Sequence, residues 1–268
     1  MLKQLKERGV IMKQKLAKTN QSVEKVLQII EVMINCKEPM RLQDISEQTE
    51  LPTSTASRLL NTLAIYNYVN QDPKTLRYYL SLKFAYIGSK VSSQSNIRDI
   101  AHPYLAELSE TCQEATSLAI EGDMEVVYID ICDRTDSILK ITQRIGKRAP
   151  LHTTGVGKGI LLNYSKEEIK ELISKKGLIK FTPNTITTLE QLLAELDKLR
   201  VNNYCLDDEE CELGVRCIAA PIRDYTGKVV AGISVTGPVG RMSMNRIEEI
   251  KPIILDTAKK ISQKLGHY

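Results

Sequence analysis

The chain has 268 residues, 42% of them hydrophobic, and a formal charge of +4, enough for one large globular domain or two ordinary ones. No apolar run approaches the ~18 residues of a membrane span. The opening MLKQLKERGVIMKQKLAKTN lacks the uninterrupted apolar core of an export signal, so a cytoplasmic protein is expected, with this basic stretch lying loosely beside the first unit.

Charge is unevenly spread. Residues 1–80 hold 12 Lys+Arg against 8 Asp+Glu, and the remainder holds 25 against 25. The excess positive charge therefore sits at the N-terminal end, as counterion release from nucleic acid would favour.

In chain order, Val23, Val26, Leu27, Ile30 and Ile34 recur at helical spacing and predict a first helix with one apolar face. Leu42 and Ile45 begin a second, which Glu50-Leu51-Pro52 breaks. Thr53 is expected to cap a third helix, in which Ala56, Leu59, Leu60 and Leu63 share a face. Its outer side carries Ser54, Thr55, Ser57, Arg58 and Asn61. Hydroxyls and a helix N-terminus suit phosphates, while Arg and Asn suit base edges in a major groove. Alone, such a face is as often merely solvated. The next fifteen residues shift the balance. Asn67 can end the helix in the left-handed conformation, and Tyr68–Asn70 and Arg77–Leu80 read as strands across a Gln71–Thr75 turn. Lys74 at the tip and Arg77 on the flank make this a basic wing, suited to holding phosphates. Residues 20–80 thus outline a winged helix-turn-helix whose DNA contacts are Thr53, Ser54, Thr55, Ser57, Arg58, Asn61, Lys74 and Arg77.

Residues 81–96 read as a linker helix, with Leu82, Ala85, Tyr86 and Ser89 on one side and a polar break at Ser92–Asn96. A second unit, 97–268, opens with an amphipathic helix through Ile100, Tyr104, Leu105, Leu108 and Cys112. Strands at Thr116–Ile120 and Glu125–Cys132 flank a Glu121-Gly122-Asp123 turn, and Ile138–Thr142 reads as another strand. Gly155-Val156-Gly157 then leads into a helix at Lys158–Asn163. Ser165/Glu168 and Thr187/Glu190 look like capping boxes for two more. A hairpin comes next, Val215–Ile222 and Lys228–Thr236 across Asp224–Gly227, and a terminal helix runs from about Asn245 to Leu265. Mixed strands and helices around a hairpin argue for an α+β sensor domain.

A small carboxylate needs N–H donors, which the Gly155-Val156-Gly157 loop supplies at the positive end of a helix dipole. Ser234 and Thr236 share a strand face by alternation, Cys217 is placed to line the opposite strand, and Asp207 can accept a hydrogen bond from a ligand hydroxyl or hydrated carbonyl.

STASRLLNTLxxYNYV, LHTTGVGKGIL, Asp207-Asp208-Glu209-Glu210 and GVRCIAAPIRDYTGKVVAGISVTGP occur in that order over residues 20 to 265. In these motifs the chain resembles the IclR family of bacterial transcriptional regulators. The resemblance implies a winged helix-turn-helix joined to a GAF-like effector-binding domain. It also implies dimers or dimers of dimers on pseudo-palindromic DNA, small organic-acid effectors, and repression as the commoner outcome. Gly155, Val156, Asp207, Cys217, Ser234 and Thr236 match the family's effector contacts, and Ile138 is a candidate apolar wall. The family often has glycine where this chain has Glu50 and Asn67; Asn takes a positive φ readily, Glu less so.

Other classes fare worse. A phosphate loop would need Gly at 152 and Ser or Thr at 159, where the chain has His152 and Gly159. No enzyme signature is present, and no cofactor or metal is expected. The runner-up is a metal- or thiol-based sensor using Cys205, Cys211 and Cys217. Their six-residue intervals are not a compact zinc spacing.

Overall fold

The computed structural model describes residues 19–94, 96–133 and 144–268. The chain divides into two compact units, one ending at Ser95 and one spanning Asn96–Tyr268. Among the described residues, no helix is long and apolar enough to cross a membrane.

The first unit contains α1 (Gln21–Ile34), α2 (Leu42–Thr49), α3 (Thr53–Ile65), β1 (Val69–Gln71), β2 (Tyr78–Leu80) and α4 (Lys83–Gln94). Asn20 starts α1 by accepting from the Ser22 and Val23 N–H groups. Its core joins Ile29 and Met33 of α1, Ile45 of α2, Leu59, Leu60 and Leu63 of α3, and Val69 and Tyr78 of the wing. Glu50 ends α2 with φ 56° and Asn67 follows α3 with φ 60°, so both positions where glycine would be easiest are left-handed. Thr53 does not cap α3. Pro52 occupies that position and Thr53 is the first helical residue, its hydroxyl 3.2 Å from that of Ser46. The linker helix begins two residues later than expected and runs past the Ser92-Ser93 pair to Gln94, because serine weakens a helix only slightly.

The second unit is a six-stranded antiparallel sheet between two helical layers. Its elements are α5 (Ile97–Cys112), β3 (Ala115–Gly122), β4 (Glu125–Cys132), β5 (Arg148–Pro150), α6 (Gly155–Ile160), a 3₁₀ turn at Leu161–Asn163, α7 (Lys166–Lys176), α8 (Leu189–Asn202), β6 (Cys205–Asp208), β7 (Val215–Arg223), β8 (Val229–Pro238) and α9 (Met244–Lys264). The strand order is β5-β4-β3-β8-β7-β6. One face carries Leu118, Ile218, Ala220, Ile233 and Val235 against α5 and α9. The other carries Ala119, Cys205, Cys217 and Ala219 against Val156 and Ile160 of α6 and Leu192 and Leu196 of α8.

Several local expectations shift. The β3–β4 hairpin turns at Asp123 and Met124, both at positive φ (55° and 63°), as a two-residue primed turn requires; Gly122 belongs to the strand. Ser165 and Glu168 form the expected capping box for α7, whereas α8 is capped by Thr188 rather than Thr187. The strand expected at Ile138–Thr142 lies outside the described residues.

Candidate functional site

In the first unit, the helix-turn-helix presents its polar side as the apolar spacing of α3 dictates. Ala56, Leu59, Leu60 and Leu63 are buried, while Ser54, Arg58 and Asn61 are exposed and Thr55 and Ser57 half-buried. In the wing, Lys74 is exposed on a turn whose carboxylate, Asp72, accepts from the N–H groups of Lys74 and Thr75 at 2.9 and 2.7 Å. These bonds hold Asp72 below its ordinary value, so its charge is bound up within the turn. Arg77 is half-buried and donates from Nη1 to the Pro39 carbonyl at 2.9 Å. Part of its guanidinium therefore braces the wing.

In the second unit, the sheet face beneath α6 holds a cavity of about 330 Å³. Strand register builds its floor. Asp207 of β6 pairs with Cys217 of β7, and Cys217 with Thr236 of β8, so three side chains stand in one row across three strands. Ser234 lies two residues along β8 on the same face, with its hydroxyl 2.7 Å from that of Ser117 on β3. Gly155 and Val156 of α6 form part of the wall. Six of the eight residues expected at an effector site thus meet at one cavity. Of the other two, Ile138 lies outside the described residues and Gly157 is not a wall residue.

The glycines work differently from the sequence expectation. Gly155-Val156-Gly157 is the first turn of α6 rather than a loop before it, with Thr154 as N-cap accepting from the Gly157 N–H at 3.0 Å. A Cβ on Gly157 would come within 2.3 Å of the Leu151 carbonyl oxygen, and one on Gly155 within 2.7 Å of the Ala219 side chain. Across the interface, a Cβ on Gly232 would meet Val156 at 2.8 Å. These glycines let a short helix lie against the sheet, and the close packing brings the N-terminal turn of α6 to the cavity. Its first N–H groups have no intrahelical acceptor; that of Gly157 is taken by Thr154.

Sequence reasoning missed Tyr128, Lys147, Thr154 and Cys211 on the cavity wall. Tyr128 is there because of a bulge. The β3–β4 register passes from Leu118↔Asp130 to Ala119↔Tyr128, leaving Ile129 as an extra residue on β4. Side chains change faces across it. Asp130 and Cys132 accordingly point toward α5, where Asp130 meets His102 at 2.7 Å and Arg98 at 3.4 Å.

The electrostatics of the cavity are set by burial. Asp207 accepts from the N–H groups of Glu210 and Cys211, both on Oδ1, at 2.8 and 3.2 Å. Desolvation nevertheless raises its carboxyl to about 6. Burial also pushes the Cys217 thiol up to about 12 and raises the Tyr128 phenol. Both are neutral donors and acceptors at neutral pH. Behind the cavity, Lys158 is fully buried, its Nζ 2.6 Å from both the Leu206 carbonyl oxygen and Glu210 Oε1. Burial opposes the ammonium, but the Glu210 carboxylate beside it holds it protonated. This pair ties α6 to the loop after β6, on either side of Asp207.

The three cysteines do not assemble as a sensor would need. Cys205 donates to the Gly155 carbonyl at 2.9 Å, and its burial raises it to about 12, the opposite of a metal-binding thiolate. Among the described residues, the His/Cys/Asp/Glu groups close enough to share a cation are His102, Asp130 and Cys132, which include none of Cys205, Cys211 and Cys217. His152, which stands where a phosphate loop would need glycine, places its Nε2 3.1 Å from the Ile179 carbonyl oxygen.

Comparison with known proteins agrees with this architecture. Residues 22–73 match the family model described as the IclR helix-turn-helix domain, and residues 89–263 the one described as bacterial transcriptional regulator IclR C-terminal. The HTH-type transcriptional repressor AllR of Escherichia coli (strain K12) is 32% identical over 246 residues, which is 92% of this chain and 90% of AllR. The crystal structure of the Thermotoga maritima IclR is 32% identical with a TM-score of 0.61, covering 91% of this chain and 98% of that one. The Agobacterium tumefaciens repressor BlcR is 25% identical with a TM-score of 0.77, covering 94% and 100%.

Proposed function

The chain belongs to the IclR family of bacterial transcriptional regulators, and we propose that it is an operator-binding repressor controlled by a small organic acid held in the cavity beneath α6. Its family is one of regulators rather than enzymes. Residues 20–80 read DNA, 81–96 link, and 97–268 sense.

The observation that carries the sensing half is the row Asp207–Cys217–Thr236, with Ser234 beside it, under the N-terminal turn of α6. One side of the cavity offers helix N–H groups and Lys147, which suit a carboxylate. The floor offers hydroxyls, a neutral thiol and the acceptor Asp207, which suit a hydroxyl or hydrated carbonyl. A volume of about 330 Å³ is at the small end of ligand sites, so a compact hydroxy- or oxo-acid fits best.

On the DNA side, Arg58 and Asn61 read base edges. Thr53, Ser54, Thr55 and Ser57 meet phosphates at the start of α3, and Lys74 and Arg77 clamp the backbone from the wing. One such unit covers little DNA, so two copies act on a pseudo-palindrome. Leu82 just before α4, Tyr86 of α4 and Val23 and Leu27 of α1 are largely apolar and more than half exposed; they are the surfaces on which copies associate. A dimer or a dimer of dimers is the expected assembly.

The test uses the full chain and duplexes recovered from a random-sequence library by rounds of binding. Recovery of a two-fold-related motif, bound by a particle of twice or four times 30.2 kDa and released or tightened by a small hydroxy- or oxo-acid, is the expected result. Binding that shows no sequence preference, or that no such acid changes, overturns the reading.

A further inference from the structure

Eight non-glycine residues among those described have positive φ, and each has a reason in the fold. Glu50, Gln113 and Asn203 are C-caps, and Asn67 follows the C-cap of α3. Asp123 and Met124 make a primed hairpin turn, with Met124 packed against the core beneath α6. Glu209 is fixed by its N–H to Val215 and by its carboxylate, which accepts from Gly214.

Leu76 is fixed by the wing turn, which the Asp72 N–H closes on the Arg77 carbonyl at 2.8 Å, but among these eight it alone is a large apolar residue facing water. It sits at the wing with φ 56°, and its side chain is 63% exposed. The left-handed conformation is unfavourable for an ordinary residue, and glycine or asparagine would serve the turn without a large apolar side chain in water. The turn is nevertheless braced around it. The Leu76 N–H donates to the Asp72 carbonyl at 2.9 Å, the Gln71 side-chain amide donates to the Leu76 carbonyl at 3.0 Å, and Asp72 caps Lys74 and Thr75. Both backbone groups of Leu76 are satisfied without a ligand, so the side chain is presented by a preformed loop. Lys74, exposed on the same turn, supplies a phosphate contact beside it.

We propose that Leu76 is an apolar reading residue of the wing, packing into the minor groove against sugar and base edges while Lys74 holds the adjacent phosphate. Apolar side chains of this kind are a recognised way of engaging the minor groove. Contact of this sort favours the sequences whose minor groove accepts it, so the wing contributes selectivity as well as charge. The inference rests on the DNA-binding reading of the first unit.

Leu76→Gly and Leu76→Asn both suit the backbone, so neither variant is expected to melt below the wild type. Using the duplex selected by the wild-type chain, each should bind about tenfold more weakly, the effect of leaving a leucine side chain unburied. The salt dependence of binding should not change, because no phosphate contact is lost. Leu76→Met, which keeps apolar reach, should bind within about threefold of the wild type, and netropsin, which fills the minor groove, should erase the difference between wild type and Leu76→Gly. Wild-type affinity in Leu76→Gly overturns the inference while leaving DNA reading intact, as does a change confined to oligomeric state. Failure of the wild type to select any duplex overturns both.

Discussion

Glu210→Ala removes one half of the buried pair behind the cavity and leaves the other half without its counter-charge. Lys158 has no exposed surface, and its two contacts are Glu210 Oε1 and the Leu206 carbonyl, each at 2.6 Å. Breaking a buried pair from one side costs about 3–5 kcal/mol, because the survivor must lose its proton or draw in water. In a unit of this size each kcal/mol lowers the melting temperature by about 2–4 °C, so a fall of roughly 6–20 °C is expected. Replacing both partners, as Lys158→Met with Glu210→Leu, should recover most of the loss, since an apolar pair of similar volume carries no desolvation cost. Scanning calorimetry on the full chain, together with urea unfolding followed by circular dichroism, measures this. If Glu210→Ala melts within about 2 °C of the wild type, the pair is not closed to water and its proposed role in clamping α6 to the Asp207 loop fails.

Three further outcomes can be worked from the geometry. Gly157→Ala should destabilise the second unit by more than about 1–3 kcal/mol, since its Cβ would stand 2.3 Å from the Leu151 carbonyl oxygen, whereas Gly159→Ala should be neutral or mildly stabilising, its nearest contact being 3.7 Å away; thermal melts of both decide. Asp207 is raised from 3.8 to about 6 by burial, so the folded state favours its neutral form; the associated stability, about 3 kcal/mol, is present below pH 4 and lost as pH rises through 6. Asp207→Asn keeps the Oδ1 acceptor and should therefore gain stability over the wild type at pH 7.5 and little at pH 4, which urea titrations at the two pH values compare. Arg58→Ala should weaken binding to a selected duplex by about 1–3 kcal/mol and to random duplex far less, while Lys74→Ala weakens both and flattens the salt dependence; equal losses for Arg58→Ala on both duplexes would remove it from base reading.

The first unit was legible because local rules decide it. The helical spacing of Ala56, Leu59, Leu60 and Leu63 fixes which side of α3 is buried, and Asn67 suits the left-handed position that follows the helix. The errors there are of one or two residues, as with Thr53 and Pro52 or the start of α4; in the second unit Thr187 and Thr188 differ likewise, because adjacent threonines are equally good caps. The cavity was legible in part, since alternation places Ser234 with Thr236 and the family motifs point to Asp207 and Cys217. What escaped depends on partners distant in sequence. The space that demands Gly155 is taken by Ala219, on a strand far along the chain. Uninterrupted alternation along β4 would put Tyr128 with Asp130 and Cys132, and only the bulge at Ile129, visible once β3 is alongside, turns it to the cavity. Lys158, in a run of small residues, carries no sign in the sequence that its counter-charge is Glu210.

The central claim is that a ligand in this cavity governs operator binding. Ser234→Ala combined with Asp207→Asn changes the floor and spares its support. The new side-chain amide still accepts from the Glu210 and Cys211 N–H groups through its oxygen, but it presents a donor where Asp207 presents its second acceptor, Oδ2. A ligand can shift DNA binding only through different affinity for the two arrangements of the regulator. Operator affinity of wild type and double variant, by fluorescence anisotropy with and without an acid found by thermal shift, therefore measures the claim directly. Without ligand the two should bind the operator equally, within about threefold, and the variant should show no ligand response. A variant that responds at the wild-type ligand concentration would place the sensor elsewhere in the chain.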